Sequence, residues 1–318
     1  MLQPSPPILM LVFNRPRHTG RVLDVLRKIK PPVLYVAADG PRERHSEDAV
    51  KTAQVRNLFE QLDWECEVHT LYRDHNLGCR AAVKGAIDWF FEHEPEGIIL
   101  EDDCVPDPSF FEYCRRLLER YRTDQHVMHI GGCNLLAPTN EHLIEISKSV
   151  DYFFTRQCMV YGWATWRRAW QHMDVDMSRL PDFIAQDRMK PYSSDPAARA
   201  YMLRKWQETH DKRNDSWAYA WAFTVFERGA YGILPTTNLV ENIGHGEDAT
   251  TTKGPEQRLA RAKAQRMSFP MSHPAGKYIN TDMAKDLFYA IHKPKPTLWL
   301  RYLLPTSWVA TVGRLFNA

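Results

Sequence analysis

Residues 97–103 read Gly97-Ile98-Ile99-Leu100-Glu101-Asp102-Asp103, an apolar run that ends in three consecutive carboxylates. An Ile-Ile-Leu run has the composition of a strand buried on both faces, where an interior acid is poorly tolerated. The acids therefore mark its carboxyl end, the rim at which open α/β sheets hold their ligands. Packed side by side, they repel one another unless a cation neutralises them. Hard oxygen donors with few soft neighbours favour Mg²⁺ or Mn²⁺, shared with a substrate phosphate. A solvated turn is enough to explain one acid at such a place; three fused to an apolar strand favour a metal site.

Working outward, the first 135 residues alternate strand-like and helix-like segments. Ile8–Phe13 reads as a strand, and a helix over 17–29 sets Val22, Leu23, Leu26 and Ile29 on one face. Val33–Ala37 is a second strand, closing on Ala38-Asp39-Gly40. A helix over 46–62, a strand at Val68–Leu71 and a helix over 78–92 lead to the acidic strand. Beyond it come a helix from Pro108 to Tyr121 and a strand at Val127–Ile130. This spacing predicts right-handed βαβ crossovers and an α/β fold with a mostly parallel central sheet. No Gly-x-Gly-x-x-Gly follows the first strand, and no Gly-x-x-x-x-Gly-Lys-Ser/Thr occurs anywhere. A dinucleotide site and a P-loop are thereby disfavoured.

Composition narrows the class. The 318 residues carry a formal net charge of +2, with 44% apolar and 25% charged side chains, an ordinary globular balance with no global pull toward nucleic acid. The six cysteines form no Cys-x-x-Cys pair and read as reduced, mostly buried thiols of a cytoplasmic protein. His126 and His129, three apart on a strand, face opposite ways and do not share a metal. There is no signal-peptide pattern and no run near the roughly 20 apolar residues of a membrane span. Trp163, Trp166, Trp170, Trp206, Trp217 and Trp221 concentrate between 150 and 250. Core packing is the default for each, with an acceptor cleft lined by sugar-stacking rings as the alternative.

Several segments, in order, resemble the GT-A class of nucleotide-diphospho-sugar transferases, within it the bacterial relatives of the GlcNAc-transferase I type. They are Leu11-Val12-Phe13-Asn14-Arg15-Pro16, Ala38-Asp39-Gly40-Pro41, Asn76-Leu77-Gly78, Leu100-Glu101-Asp102-Asp103 and Pro106-Asp107-Pro108-Ser109-Phe110-Phe111. Gly162-Trp163-Ala164-Thr165-Trp166, Asn238-Leu239-Val240-Glu241-Asn242-Ile243-Gly244 and Phe269-Pro270-Met271-Ser272-His273-Pro274 complete the series, which covers 7–275. The resemblance implies a GT-A domain over 1–275, with a nucleotide-sugar-binding half at 7–135 and an acceptor and catalytic half at 150–250. It implies a metal-dependent transfer from a nucleotide-diphosphate sugar, UDP-sugars favoured, to a carbohydrate or lipid-linked hydroxyl, with inversion, in surface polysaccharide or glycolipid synthesis. Asp103 becomes the ligand of Mn²⁺ or Mg²⁺ with Glu101 supporting, Asp102 faces the sugar or ribose, and Asp39 bonds the base or ribose. Arg15 stands near the nucleotide, a surface ion pair being its alternative.

Arg80 and Lys84, one helical turn apart, are further candidates for holding phosphate. The general base maps to Asp215, in Asn214-Asp215-Ser216-Trp217, with Asp211 as fallback; helix capping by Asp215 or Ser216 is the competing reading. His245, in a glycine-flanked loop, would cap the donor. Relatives carry an acid at 218, where this chain has Ala218, and an aromatic at 245. Two rivals stand beside the transferase: a sugar-nucleotidyltransferase, which lacks support from Phe13-Asn14-Arg15-Pro16, and a non-catalytic carbohydrate-binding protein on the same scaffold. The 276–318 tail has no carboxylate after Asp286 and alternates cations with aromatics. It fits helices packed on the domain or on another subunit, and equally a segment lying on the inner face of a membrane.

Overall fold

The computed structural model describes residues 4–136, 138–244 and 262–292. The first half runs β1 (Ile8–Val12), α1 (Pro16–Ile29), β2 (Val33–Ala38), α2 (Asp48–Glu60), β3 (Glu67–Tyr72), α3 (Cys79–His93) and β4 (Glu96–Glu101). There follow β5 (Cys104–Pro106), α4 (Ser109–Arg120), β6 (Val127–Gly131), α5 (Glu141–Ser147), β7 (Tyr152–Thr155), β8 (Trp163–Trp166), α6 (Arg167–Trp170) and α7 (Leu180–Ala185). The chain continues through α8 (Pro196–His210), α9 (Trp217–Glu227), β9 (Tyr231–Pro235), β10 (Val240–Asn242) and α10 (Thr281–His292). Eight strands form one mixed, mostly parallel sheet in the order β3-β2-β1-β4-β8-β6-β9-β7, flanked by helices. This is the α/β architecture that the alternation of segments predicts.

The strand order explains where a ligand can sit. From β1 the chain crosses outward to β2 and β3, then returns past them to β4 on the other side of β1. Right-handed crossovers in opposite directions put α1 and α2 on one face and α3 on the other. The carboxyl ends of β1 and β4 therefore border the switch-point crevice at which doubly wound sheets bind ligands. Register aligns the rim, with Val12 opposite Ala38 and Leu11 opposite Glu101. Ile8, Leu9, Met10, Ile98, Ile99 and Leu100 are fully buried, so the strands are anchored and only their ends are free to differ.

Past β4 the chain reverses: β8 is inserted antiparallel between β4 and β6, and β7 antiparallel beside β9. The tryptophans are core. Trp163 stacks on Trp217 and packs against Trp170 and Trp221, while Trp206 meets Phe183, Phe223 and Phe226. All six are buried, which removes them as sugar-stacking surfaces. His129 is buried too, accepting from Trp221 Nε1 at 3.2 Å, while His126 is exposed, so the two do not pair. α10 seats Met283 and Leu287 among Leu143, Phe153 and Leu234, and Phe288 against Tyr201. That part of the tail packs on the domain; residues from 293 on lie outside those described.

Behind the rim, Asp48 at the start of α2 is buried and accepts from Asn14 Nδ2 at 2.7 Å and Arg42 Nε at 2.6 Å. The bonds from Arg42, aided by Asn14, pull its carboxyl down to about 2. A depressed carboxylate stabilises the fold fully above its unfolded value near 4, and that contribution disappears as pH falls through 2. Urea unfolding at pH 6 and pH 2 should show the wild type losing on the order of 2 kcal/mol more than Asp48→Asn does.

Candidate active site

Four chain segments meet at the rim. Arg15, immediately after β1, donates from Nη1 to Asp103 Oδ2 at 2.9 Å and to Asp102 Oδ1 at 3.3 Å. The ion pair considered from sequence thus exists, but within the acid cluster and partly buried rather than at the open surface. Asp102 is buried and also accepts from the backbone of Phe13, so it faces the end of β1. Burial first, then repulsion from Asp103, drives its carboxyl upward against the pull of Arg15. Glu101 is raised by burial and by both aspartates. One guanidinium shared by three carboxylates leaves the rim short of positive charge.

The other side of Asp103 is built by β10, which pairs antiparallel with β5 and sets Asn242 opposite Cys104. Asn242 Nδ2 donates to Asp103 Oδ1 at 3.3 Å, and Ile243 N to the Asp103 carbonyl at 2.8 Å. A Cβ at position 244 would fall inside van der Waals contact of Asp103 Oδ2, so the backbone here needs glycine for close approach. Asn242 and Gly244 are site residues that the sequence reading did not single out, although both lie in a segment that carries the resemblance.

Asp39 follows β2 and is buried. Its carboxylate accepts from Gly40 N at 3.0 Å, Leu77 N at 3.1 Å and Asn76 Nδ2 at 2.9 Å. It therefore clamps the loop that enters α3, where Gly78 adopts φ +79 at the N-cap. That loop carries Cys79 toward the acids; this residue is exposed at the surface, and local desolvation, then the charges of Glu101, Asp215 and Asp39, raise its thiol. Asp215 thus belongs to the same locality, with Oδ2 lying 3.6 Å from where a Cβ on Gly78 would stand.

The capping question is settled by geometry. Ser216, not Asp215, caps α9, its hydroxyl accepting from Tyr219 N at 3.5 Å. Ser216→Ala should accordingly lower stability by about 1 kcal/mol, a cost that Asp215→Ala should not share, as read by thermal unfolding. The fallback Asp211 is exposed and bonded to Arg213 at 2.7 Å.

Arg80 and Lys84 both have protein partners. Arg80 donates to the carbonyls of Val175 and Thr209 and to Asp176, with Asp176 Oδ1 at 3.3 Å. Lys84 lies along α3 and pairs with Asp88 at 2.5 Å. His245 lies outside the described residues.

Two clefts are of note, neither of them lined by Glu101, Asp102 or Asp103. The smaller, about 460 Å³, is lined by Arg80, Asp176, Lys212, Arg213, Asn214 and Asp215. The larger, about 1260 Å³, reaches the rim at Asn14, Arg15 and Ile243 but is lined by none of the three acids. Among the described residues no three His, Cys, Asp or Glu side chains converge as a group able to hold a metal ion. A protein cage is thus not what the donors offer. One or two carboxylates on a rim open to phosphate and water are the donor set that Mg²⁺ accepts, and the chemistry of Asp103 and its neighbours fits it.

No family model and no curated protein matches the chain. Among solved structures it is similar to a mannosyltransferase, PcManGT from Pyrobaculum calidifontis in complex with GDP-Man and Mn²⁺, at 12% identity. The match covers 71% of this chain and 70% of that one, with a TM-score of 0.40. It is similar to S. aureus TarS 1–349 at 8% identity, covering 74% of this chain and 59% of that one, TM-score 0.42. A third is HddC from Yersinia pseudotuberculosis, at 9% identity over 51% and 77%, TM-score 0.31. These are distant likenesses.

Proposed function

We propose that the protein is a glycosyltransferase of the GT-A type that uses a nucleotide-diphosphate sugar, with a UDP-sugar as the favoured donor and a carbohydrate or lipid-linked hydroxyl as acceptor. The observation that carries this reading is the meeting of Arg15 with Asp102 and Asp103 at the sheet switch point. Asp103, with Glu101 supporting, would hold Mn²⁺ or Mg²⁺. When bound, such an ion supplies Lewis-acid neutralisation of a departing diphosphate.

The chain's own groups supply the rest. Arg15 is a fixed guanidinium at the spot where diphosphate charge would accumulate, a geometry suited to bidentate anion recognition. Asp39 shapes the entrance to α3 through Asn76 and Leu77, so the base-side wall is a backbone loop held rigid by one carboxylate. Asp102 ties Arg15 to the strand end. Asp215, beside Gly78 at the entrance to α3, takes the proton from the acceptor hydroxyl as it attacks, with inversion at the anomeric carbon. The adjoining smaller cleft, open to solvent beside Asp215, gives the acceptor its approach.

The product class, surface polysaccharide or glycolipid, belongs to this proposal, as do the cytoplasmic location and the division at residue 275. The test is calorimetric titration with UDP-, GDP- and CMP-compounds, with and without Mn²⁺, together with donor hydrolysis. Cation-dependent nucleotide binding with slow hydrolysis of one donor supports the transferase. Binding of free sugar without nucleotide would assign the carbohydrate-binding alternative instead.

A further inference from the structure

The geometry points to a second anion site: the cleft between α1 and α2 binds a linear ligand that carries successive phosphate groups. The cleft touches the proposed donor site at Arg15 but is lined by none of the three acids, and polyphosphate binding is tested through Arg17, Arg21 and Arg44, so it can fail while the transferase reading stands. Seven Lys and Arg side chains line the cleft against three carboxylates. All three carboxylates are already paired, Asp24 with Arg27, Glu47 with Lys51 and Asp48 with Arg42. Arg15 is bound to the rim acids. That leaves Arg17, Arg21 and Arg44, all exposed and without an ion pair among the described residues. In a chain of net charge +2 this is a local surplus, and it sits inside a concavity.

Two features of α1 work against its own stability. Its first turn holds no acid but carries Arg17, a cation at the positive end of the helix dipole. Gly20 lies in the helix interior, a poor helix position, and nothing comes within 4 Å of where its Cβ would be. Interior glycines usually admit a close neighbour; here the vacant space opens into the cleft. Breaking two local rules without an internal gain marks a binding surface.

The shape selects the occupant. Arg17 and Arg21 are one helical turn apart, about 6 Å along the axis, a spacing that meets consecutive phosphates rather than one isolated anion. A groove walled by two helices admits a strand and not the plane of a bilayer. No Phe, Tyr or Trp lines it, so the stacking platform that single-stranded nucleic acid uses is missing.

Fluorescence anisotropy with end-labelled short-chain inorganic polyphosphate tests this on the full chain. The triple variant Arg17→Glu, Arg21→Glu, Arg44→Glu should lose at least about 100-fold in affinity, with a shallower salt dependence. A control with the same charge change on other surfaces, Lys148→Glu, Lys190→Glu, Arg228→Glu, should stay within about threefold. Gly20→Gln adds bulk without charge and improves helix propensity, so it folds, and it should cost about tenfold by filling the groove. Equal losses in both triple variants, no binding by wild type at low salt, or tighter binding to phosphatidylglycerol vesicles or to single-stranded RNA than to polyphosphate would overturn the proposal.

Discussion

Asp103→Ala is expected to abolish the cation-dependent part of nucleotide binding. In titrations with UDP and Mn²⁺ the Kd should rise by at least about 100-fold, whereas without the ion wild type and variant should bind alike. The reason is positional. Asp103 is the last acid beyond β4, where its backbone is pinned by Ile243 and its carboxylate is steered by Arg15 and Asn242. Asp102 is turned toward Phe13 and Arg15, so the variant would leave Glu101, proposed only as a supporting ligand, to hold the ion alone. Truncation leaves Arg15 its bond to Asp102, so thermal unfolding should move by only a few degrees. Undiminished manganese dependence in the variant would end the assignment of Asp103 and, with it, the transferase reading.

Asp215→Asn is expected to separate binding from turnover. The amide keeps the shape of the carboxylate but takes no proton, so kcat should fall by about 10² to 10⁴ while donor Kd stays within about threefold. Because Ser216 supplies the helix cap, this loss cannot be blamed on unfolding of α9. Donor hydrolysis and transfer to a panel of sugar acceptors give the two readouts. Normal turnover would release Asp215 from the base role, and the exposed, ion-paired Asp211 would not inherit it.

The first half of this fold was legible because its strands are short apolar runs closed by a polar residue. β1, β2 and β4 follow from that pattern, and the helices between them from one-sided apolar spacing. The second half was not. β8 is four residues, Trp-Ala-Thr-Trp, buried throughout, and neither period nor turn signals betray a strand that short. The tryptophans were readable as core by their type alone.

Within the site, the acids were visible because they are adjacent in sequence, but what they touch was not. Arg15 reaches Asp103 across 88 positions and Asn242 reaches it across 139. Asp39 was legible as an acid at a strand end, yet its commitment to Leu77 and Asn76 depends on how the loop before α3 folds back. For the cations of α3, periodicity placed Arg80 and Lys84 on the helix, but their partners, Val175 and Thr209 for the one and Asp88 for the other, were not readable from it.

The ribbon of β5 and β10 also orders events in time. Its two strands of three residues enclose every residue from 107 to 239, and only when that span has come together can Asn242 meet Asp103. The early crossovers through β4 are sequence-local and can assemble while synthesis continues, whereas a closure of this length comes late. A nascent chain stopped short of residue 240 would own its acids but not their finished surroundings. The surroundings of Asp103 would thus be completed in one late step rather than by degrees.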